Sequence, residues 1–512
     1  MARFYVWPAA LLVLCAVIAL PLLPRQGVDA QRAVQSVRKL SAVTATDGDV
    51  EAYAASEADA LAVYMADQTT DGVYELFSVP LAGGTPTRLS ASGQTVVGFK
   101  VSPVGGQVVY AALQAGQANA SLFSVPIGGG DVTPIVASLS TASAAIAFTA
   151  DGDRVLFRAT GEDPLDASTL YSAPAAGGPA TLIADDVSYF ALDPTSARVV
   201  FISASGTPNL RSAPVAGGSI RGLGTTSGAS ILITPDGTRV VYEQAANGNR
   251  PIVISLPLAG GPGTTLVPLS DALDEPTMQV STDGAFLLYG GRVPTGYLEN
   301  PRVFRLLRVP IAGGPAVTLH EFVAPVGVPT GISLAQAPGG GRIVYGLTIY
   351  NRIGLHTAHL ASVPADGGQA VTLSSVPFMS GIVPFKLSAD GTQVLFTLDY
   401  MLYRVPTAGG AAPTLLSRTR PVREFAFAAD GTAVFFEVSN VIHILIEPGS
   451  LAYAPRDRHA LSVEKPADGA DVWDFTLVGQ TALYRGIRHP DVIELYAANL
   501  AVNSVYMPLI GR

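Results

Sequence analysis

Charged residues, lysine and cysteine are all scarce in this sequence. Charged side chains make up 14% of the 512 residues against 48% hydrophobic residues, and the formal net charge is −9. Disordered chains combine low hydrophobicity with high charge, so this composition predicts a folded protein. Lysine occurs only at positions 39, 100, 386 and 465, and the basic residues form no stripe. Nucleic acid is therefore not expected as a partner.

The only cysteine, Cys15, lies in an apolar N-terminal segment. Arg3 precedes the apolar run from Phe4 to Leu23, and Val28-Asp29-Ala30 has the small residues of a signal-peptidase site. We expect residues 1–30 to be a cleaved signal peptide, with a retained membrane anchor as the alternative, since the run is also long enough to span a bilayer. Both interpretations place the bulk of the protein outside the cytoplasm, in a bacterial periplasm, at the cell surface or in the medium. After cleavage no cysteine would remain for a disulfide, a thiolate nucleophile or a metal site.

Short strands and tight turns, in contrast, are abundant, and residues 387–417 show the pattern well. An apolar first strand leads to Asp390-Gly391, a pair typical of a tight hairpin turn. A strand rich in β-branched and aromatic residues follows, and a third strand ends at Pro406, where the lack of an N–H is tolerated. Gly409-Gly410 then turns the chain into a fourth strand. The unit predicts a four-stranded antiparallel sheet with strands A to D.

This unit recurs along the chain. Successive third-strand prolines are between 40 residues (Pro174 to Pro214) and 54 residues (Pro310 to Pro364) apart, and the series is Pro80, Pro126, Pro174, Pro214, Pro257, Pro310, Pro364 and Pro406. Ten second strands can be counted, from Ala62-Val63-Tyr64 to Ala482-Leu483-Tyr484. A period in this range predicts an all-β fold, a β-propeller of about ten four-stranded blades, because one unit cannot bury its faces alone. We favour one large ring, with two tandem rings as the alternative, since propellers usually have about 4 to 8 blades.

The repeated motifs also resemble a known family. SADGTQVLF at residues 388–396 and FTADGDRVLF at residues 148–157, together with LYRVPTAGG at residues 402–410, resemble the TolB-type, WD-repeat-like β-propeller family, and the resemblance covers residues 51–501. It implies the propeller fold only. TolB itself carries an α/β domain ahead of its propeller, and residues 31–60 are too few to form one. Peptidases with similar propellers need an α/β-hydrolase domain with a G-x-S-x-G elbow, which this sequence does not contain.

The sequence predicts four segments. Residues 1–30 are the signal or anchor, residues 31–50 a lead-in, residues 51–501 the propeller repeats, and residues 502–512 a tail or last outer strand. The lead-in contains Ser36 to Ser41, which repeats the pattern of a fourth strand. A strand from either terminus could therefore complete the last blade and remove an exposed edge.

The connections indicate where a partner would bind. In a four-stranded meander the AB and CD turns lie at one end of each blade, and the BC and DA connections lie at the other. The AB and CD turns are short and uniform, whereas BC connections extend over Gly290 to Arg305 and Gly346 to His359, and a DA connection extends over His320 to Gly331. Variation confined to one face predicts a binding face there. Its candidate residues, chosen for acid clusters or for the Tyr and Arg typical of interfaces, are Glu162, Asp163, Asp166, Arg292, Tyr297, Arg302, Tyr350 and Arg352.

We therefore predict an exported, non-catalytic propeller that binds a protein or a glycan, with no cofactor and no metal. The sequence leaves two alternatives open. Loop acids at 162–166, 185–186 and 271–275 could converge on the central channel as the carboxylates of a hydrolase or lyase, or the protein could be a structural component of the cell envelope. The Asp-Gly aspartates are interpreted as turn residues. His356 and His359 would lie on opposite faces of a strand, so a zinc site is not expected there.

Overall fold

The computed structural model describes most of the repeat region. The described residues are 36–42, 48–117, 119–139, 145–159, 168–207, 209–226, 231–244, 251–294, 302–324, 328–350, 356–378, 384–417, 422–427, 433–438, 441–446, 460–462, 471–479, 481–488 and 492–499. The predicted signal or anchor at residues 1–30 and the tail at residues 502–512 lie outside them. Within the described residues, no helix has the length and apolar character that a membrane span requires.

Ten four-stranded antiparallel sheets follow one another along the chain, and we number them as blades 1 to 10. Blades 1 and 2 comprise β2 (Val50–Ser56), β3 (Leu61–Ala66), β4 (Glu75–Pro80), β5 (Thr87–Arg88), β6 (Gln94–Val101), β7 (Gln107–Gln114), β8 (Ala120–Pro126) and β9 (Thr133–Leu139). Blades 3 and 4 comprise β10 (Ile146–Phe148), β11 (Arg154–Ala159), β12 (Thr169–Pro174), β13 (Thr181–Ala184), β14 (Val187–Leu192), β15 (Arg198–Ser203), β16 (Leu210–Pro214) and β17 (Arg221–Gly224). Blade 5 comprises β18 (Ile231–Ile233), β19 (Arg239–Gln244), β20 (Ile252–Pro257) and β21 (Thr264–Val267).

The second half of the chain continues the series. Blades 6 and 7 comprise β22 (Asp274–Val280), β23 (Phe286–Arg292), β24 (Arg302–Pro310), β25 (Val317–Ala324), β26 (Val328–Gln336), β27 (Arg342–Tyr350), β28 (His356–Pro364) and β29 (Val371–Phe378). Blades 8 and 9 comprise β30 (Phe385–Leu387), β31 (Gln393–Leu398), β32 (Met401–Pro406), β33 (Thr414–Leu415), β34 (Val422–Phe427), β35 (Ala433–Val438), β36 (Val441–Ile446) and β37 (Ala460–Ser462). Blade 10 comprises β38 (Asp471–Val478), β39 (Thr481–Arg488), β40 (Val492–Asn499) and, as its outer strand, β1 (Ser36–Lys39).

The predicted turn chemistry is what holds each blade in register. A proline is the last residue of the third strand in each of the first eight blades, and the two glycines that follow have positive φ, as in Gly83 and Gly84 of blade 1. The first of these glycines donates its N–H to the carbonyl of the proline, as Gly409 does to Pro406 at 3.0 Å. Only glycine adopts this conformation without steric cost, which explains why the Gly-Gly pair recurs.

Neighbouring blades stack face to face around a common centre. First strands contact one another, for example β2 with β6, β22 with β26 and β30 with β34, so they line the centre of the array. Buried clusters join successive blades, and Tyr64 and Val79 of blade 1 belong to the same cluster as Leu483 and Leu495 of blade 10. The ten-blade β-propeller predicted from the repeats is thus the observed architecture. Successive blades are in contact, and β40 of blade 10 also contacts β2 of blade 1.

The structure also identifies the strand that completes blade 10. β1 pairs antiparallel with β40, with Ser36 opposite Asn499 and Lys39 opposite Tyr496. Because the lead-in supplies this outer strand, the two ends of the chain share one sheet. The sequence left open which terminus would do so.

Candidate functional site

The connections predicted as long loops in blades 6 and 7 are partly strand. Gly290 to Arg292 extend β23, Arg302 to Arg305 begin β24, and β27 continues to Tyr350 before β28 starts at His356. The expected DA loop is likewise shortened, because β25 runs to Ala324 and β26 begins at Val328. Expecting loops there was wrong, since the alternating apolar residues of these segments continue the antiparallel pairing. Blades 6 and 7 are consequently longer than blade 8 at the BC end.

We call residues 290–292, 302–305, 347–350 and 356–359 the long ends. They carry three of the residues predicted to bind a partner: Arg292 ends β23, Arg302 begins β24, and Tyr350 ends β27 with 44% of its surface exposed. The structure therefore places these three residues at one end of two adjacent blades. Nothing is described for the side chain of Arg302, and the remaining five candidates, Glu162, Asp163, Asp166, Tyr297 and Arg352, lie outside the described residues.

Arg292 lies beside two of the acids that the sequence singled out. Its Nη2 is 3.4 Å from Oε1 of Glu275 and 4.0 Å from Oδ2 of Asp274, which is its cross-strand partner. An irregularity in β22 between Asp274 and Thr277 gives both acids this position. The Arg292 side chain is 17% exposed, and its buried Nε has no hydrogen-bond partner in the described part of the chain. The contacts of Arg292 with the two acids are therefore made through Nη2 and not through Nε.

A second ion pair lies on the outer half of blade 6. Nε of Arg305 is 2.6 Å from Oε1 of Glu321, and the two residues are opposite each other in β24 and β25. Both side chains are partly exposed, so the pair contributes little to stability but fixes two charges at defined positions. The two arginines of the long ends in these ion pairs, Arg292 and Arg305, are thus each paired with acids on neighbouring strands of blade 6.

Aromatic rings and two histidines fill the space beneath, between blades 6 and 7. The ring of His359 stacks on Phe322 with 4.1 Å between centroids, and Tyr345 hydrogen-bonds Nδ1 of His320 at 2.5 Å. His359 is 3% exposed, and neither ring nitrogen has a partner among the described residues. Burial, and secondarily the nearby His320, lowers the pKa of His359 to about 4. The ring is therefore neutral at neutral pH and acts as part of the packing.

The other predicted acids are engaged in local structure. Asp186, between β13 and β14, accepts a hydrogen bond from the Ser205 N–H at 2.7 Å and another from the Ser205 hydroxyl. The turn aspartates behave as expected: Asp390 accepts from the Ser388 hydroxyl at 2.6 Å and from the Thr392 N–H at 3.0 Å. These bonds lower the pKa of Asp390, and the same arrangement lowers the pKa of Asp151, Asp236 and Asp283. Asp430 lies outside the described residues.

The structure also shows features of the channel wall that the sequence reasoning missed. A groove of about 710 Å³ lies between the first strands of blades 1 and 2 and includes Glu51, Tyr53, Phe99 and Lys100 in its lining. A smaller cavity of about 320 Å³ lies among the first strands of blades 8, 9 and 10. The available signal was a lysine within an otherwise apolar first strand, at Lys100 and Lys386. Nowhere in the described residues do three or more His, Cys, Asp or Glu side chains form a group that could hold a metal ion.

Comparisons with known proteins add the following. No family model and no curated protein matches the sequence. Among solved structures, a eukaryotic initiation factor is 10% identical with a TM-score of 0.47, and the match covers 83% of this chain and 91% of that chain. Prolyl oligopeptidase B from Galerina marginata is 10% identical with a TM-score of 0.33, covering 78% of this chain and 56% of that chain. A GH74 enzyme from Niastella koreensis is 10% identical with a TM-score of 0.29, and the match covers 90% of this chain and 86% of that chain. These scores are low, so the fold assignment rests on the sheets themselves.

Proposed function

We propose that the protein is an exported β-propeller that binds a protein or a glycan through the long ends of blades 6 and 7. The observation that carries this proposal is the extension of these two adjacent blades at the BC end, which places Arg292 and Tyr350 on strands rather than on loops. Residues on paired strands are held more precisely than residues on loops, so they lose less conformational entropy when a partner binds. Membership of the TolB-type repeat family is part of the same proposal and rests on the repeated turn motifs.

The chemistry of the long ends fits recognition better than catalysis. Asp274 and Glu275 are 4.0 and 3.4 Å from the guanidinium of Arg292, so this end of blade 6 presents paired opposite charges, an arrangement suited to recognising a charged partner. Asp185 and Asp186, in contrast, lie between blades 3 and 4, and Asp186 is held by Ser205. Arginine and tyrosine together offer donors and an aromatic face, the groups that bind sugar hydroxyls, carboxylates and protein surfaces.

Binding is tested with the purified protein on a glycan array and against fractionated envelope proteins. We expect a saturable partner whose affinity falls about tenfold or more in Arg292→Ala and in Tyr350→Ala, since each would remove a central contact. Asp366→Ala is the matched control, because Asp366 is exposed in the CD turn of blade 7 at the opposite end. An equal loss of affinity in all three variants, or no loss of affinity in any of them, would contradict a binding site at the long ends.

The export proposal has its own test. Expression of the full chain in a bacterial host followed by mass spectrometry of the product should give a mature protein that begins at Gln31, outside the cytoplasm. A product that retains residues 1–30 in the membrane fraction would support the anchor instead. A product that stays in the cytoplasm with Met1 or Ala2 as its first residue would refute export.

A further inference from the structure

The first strands of all ten blades share one register, and this defines an equivalent position around the channel. In each blade one first-strand residue pairs with the aromatic residue of the second strand, for example Phe99 with Tyr110 and Phe385 with Phe396. We call the next residue the middle position. Its occupants from blade 1 to blade 10 are Ala54, Lys100, Ala147, Ala191, Leu232, Gln279, Ala335, Lys386, Ala426 and Thr476. Lysine thus occupies this position only in blades 2 and 8.

The lysine of blade 8 opens into a defined cavity. The cavity of about 320 Å³ is lined by Lys386 from blade 8, Phe425, Ala426 and Phe427 from blade 9, and Phe475, Thr476, Leu477 and Gly479 from blade 10. The rings of Phe425 and Phe475 in its wall are largely buried, 5% and 9% exposed, whereas Phe427 is partly buried. Lys386 and Thr476 are both exposed and add polar surface to the lining. The volume is at the lower end of the range of about 300 to 1,000 Å³ for small-molecule sites.

The charge of this cavity is unbalanced. Nζ of Lys386 is 5.7 Å from the ring centroid of Phe425, and none of the lining residues whose side chains the structure describes is a carboxylate. Lys39, in contrast, has a carboxylate partner, because its ammonium group lies 2.5 Å from Oε1 of Glu494. An exposed ammonium group beside an aromatic ring can accept an anion without first breaking an ion pair.

We propose that this cavity binds a small aromatic carboxylate. The ring of the ligand would lie against Phe427 and the exposed edges of Phe425 and Phe475, and its carboxylate would pair with the ammonium group of Lys386. A neutral analogue would keep the apolar contacts and lose the ion pair. The site is on the channel wall and does not depend on binding at the long ends.

The experiment is isothermal titration of the full-length protein with 3-phenylpropanoate, its neutral amide and octanoate. We expect the acid to bind saturably, and both the amide and octanoate to bind about tenfold or more weakly. Lys386→Met keeps the aliphatic stem and should reduce the affinity for the acid to that for the amide. Lys100→Met, at the same position of blade 2, is the matched control and should bind the acid like the wild type.

Four results would overturn the proposal. The first is absence of saturable binding at millimolar concentrations of the acid, and the second is an equal loss in Lys386→Met and Lys100→Met. The third is equal affinity for the acid and its amide. The fourth is octanoate binding as tightly as the aromatic acid, which would overturn the choice of an aromatic ligand. Phe427→Ala is a second variant, and it is expected to weaken the binding of the acid and of the amide to the same extent. The thermal midpoint of each variant shows whether it is folded.

Discussion

At the scale of single residues, His359 is the most unusual side chain in the described part of the chain. It is almost fully buried between blades 6 and 7, yet neither ring nitrogen has a partner there. Buried polar atoms without partners are rare, because each one costs the free energy of its lost hydration. The ring is kept in place by stacking on Phe322 and by its contact with Tyr345, so its protonation state matters for the packing of these two blades.

We predict that His359 makes the protein less stable in mild acid. Its pKa is about 4 in the folded state and about 6.5 in the unfolded state, so the unfolded chain binds the proton more tightly. The stability that the neutral ring provides is complete above pH 6.5 and falls as the pH is lowered towards 4, by about 3 kcal/mol. Urea unfolding of wild type and His359→Phe at pH 7.5, 6, 5 and 4.5 measures the difference. The variant should lose less stability than the wild type over this interval.

Burial also lowers the pKa of His320, which acts in the same direction, and carboxylates titrate at the lower end of the range. The test is therefore the difference between the two proteins at each pH and not the slope of either one. Parallel curves for wild type and His359→Phe would show that His359 is already protonated, or already hydrated, in the folded protein.

At the scale of elements, the AB turns do more than reverse the chain, because the turn of one blade rests on that of its neighbour. Gly391, in the AB turn of blade 8, has φ +71° and lies against Pro338 and Ala337 of blade 7. Gly106, in the AB turn of blade 2, has φ +77° and nothing within 4 Å of the position of a Cβ. Both glycines have a positive φ, and they differ in what surrounds the position of a Cβ.

This pair of glycines gives a matched prediction. Gly106→Ala should cost about 1 kcal/mol, the conformational penalty of a positive φ. Gly391→Ala should cost about 3 kcal/mol, because its Cβ would also overlap the carbonyl oxygen of Pro338. Denaturant unfolding of both variants measures the two costs. Equal costs would mean that blades 7 and 8 do not pack through their AB turns.

At the scale of the whole molecule, an ion pair joins residues that are 455 positions apart in the sequence. Nζ of Lys39 in β1 is 2.5 Å from Oε1 of Glu494, and the Tyr496 hydroxyl donates to Oε2 at 2.9 Å. Glu494 is fully buried, whereas the Lys39 side chain is 36% exposed. The lead-in strand therefore supplies a counter-charge to this carboxylate, and this couples the outer strand to blade 10.

Removing the lysine should therefore weaken blade 10. Lys39→Met leaves a buried carboxylate with only part of its compensation, and we expect a loss of about 3 kcal/mol. In the double variant Lys39→Met/Glu494→Leu the buried charge is absent, so part of this loss should be recovered. Urea unfolding and hydrogen exchange in β40 report the two effects. A Lys39→Met protein as stable as Lys100→Met would show that β1 does not hold blade 10 through this pair.

The candidate site could be predicted only in part. Tyr and Arg in the variable connections of blades 6 and 7 pointed to Arg292 and Tyr350, and acids at 271–275 were noted as a cluster. The sequence could not show that Arg292 lies against Asp274 and Glu275, because this contact depends on an irregularity in β22 that no local motif marks. The cavity beside Lys386 also escaped prediction, since its walls come from three blades.

The sequence by itself determined the blade. Asp-Gly turns, third-strand prolines and Gly-Gly pairs are local features whose geometry follows from the φ range of each residue, and with the second-strand pattern they predict about ten units. The tertiary structure decided how the units are joined: the lead-in strand pairs with β40, blades 6 and 7 extend their strands, and Lys386 faces the rings of another blade. Those outcomes depend on contacts between residues far apart in the chain, and short-range patterns are compatible with more than one such set of contacts.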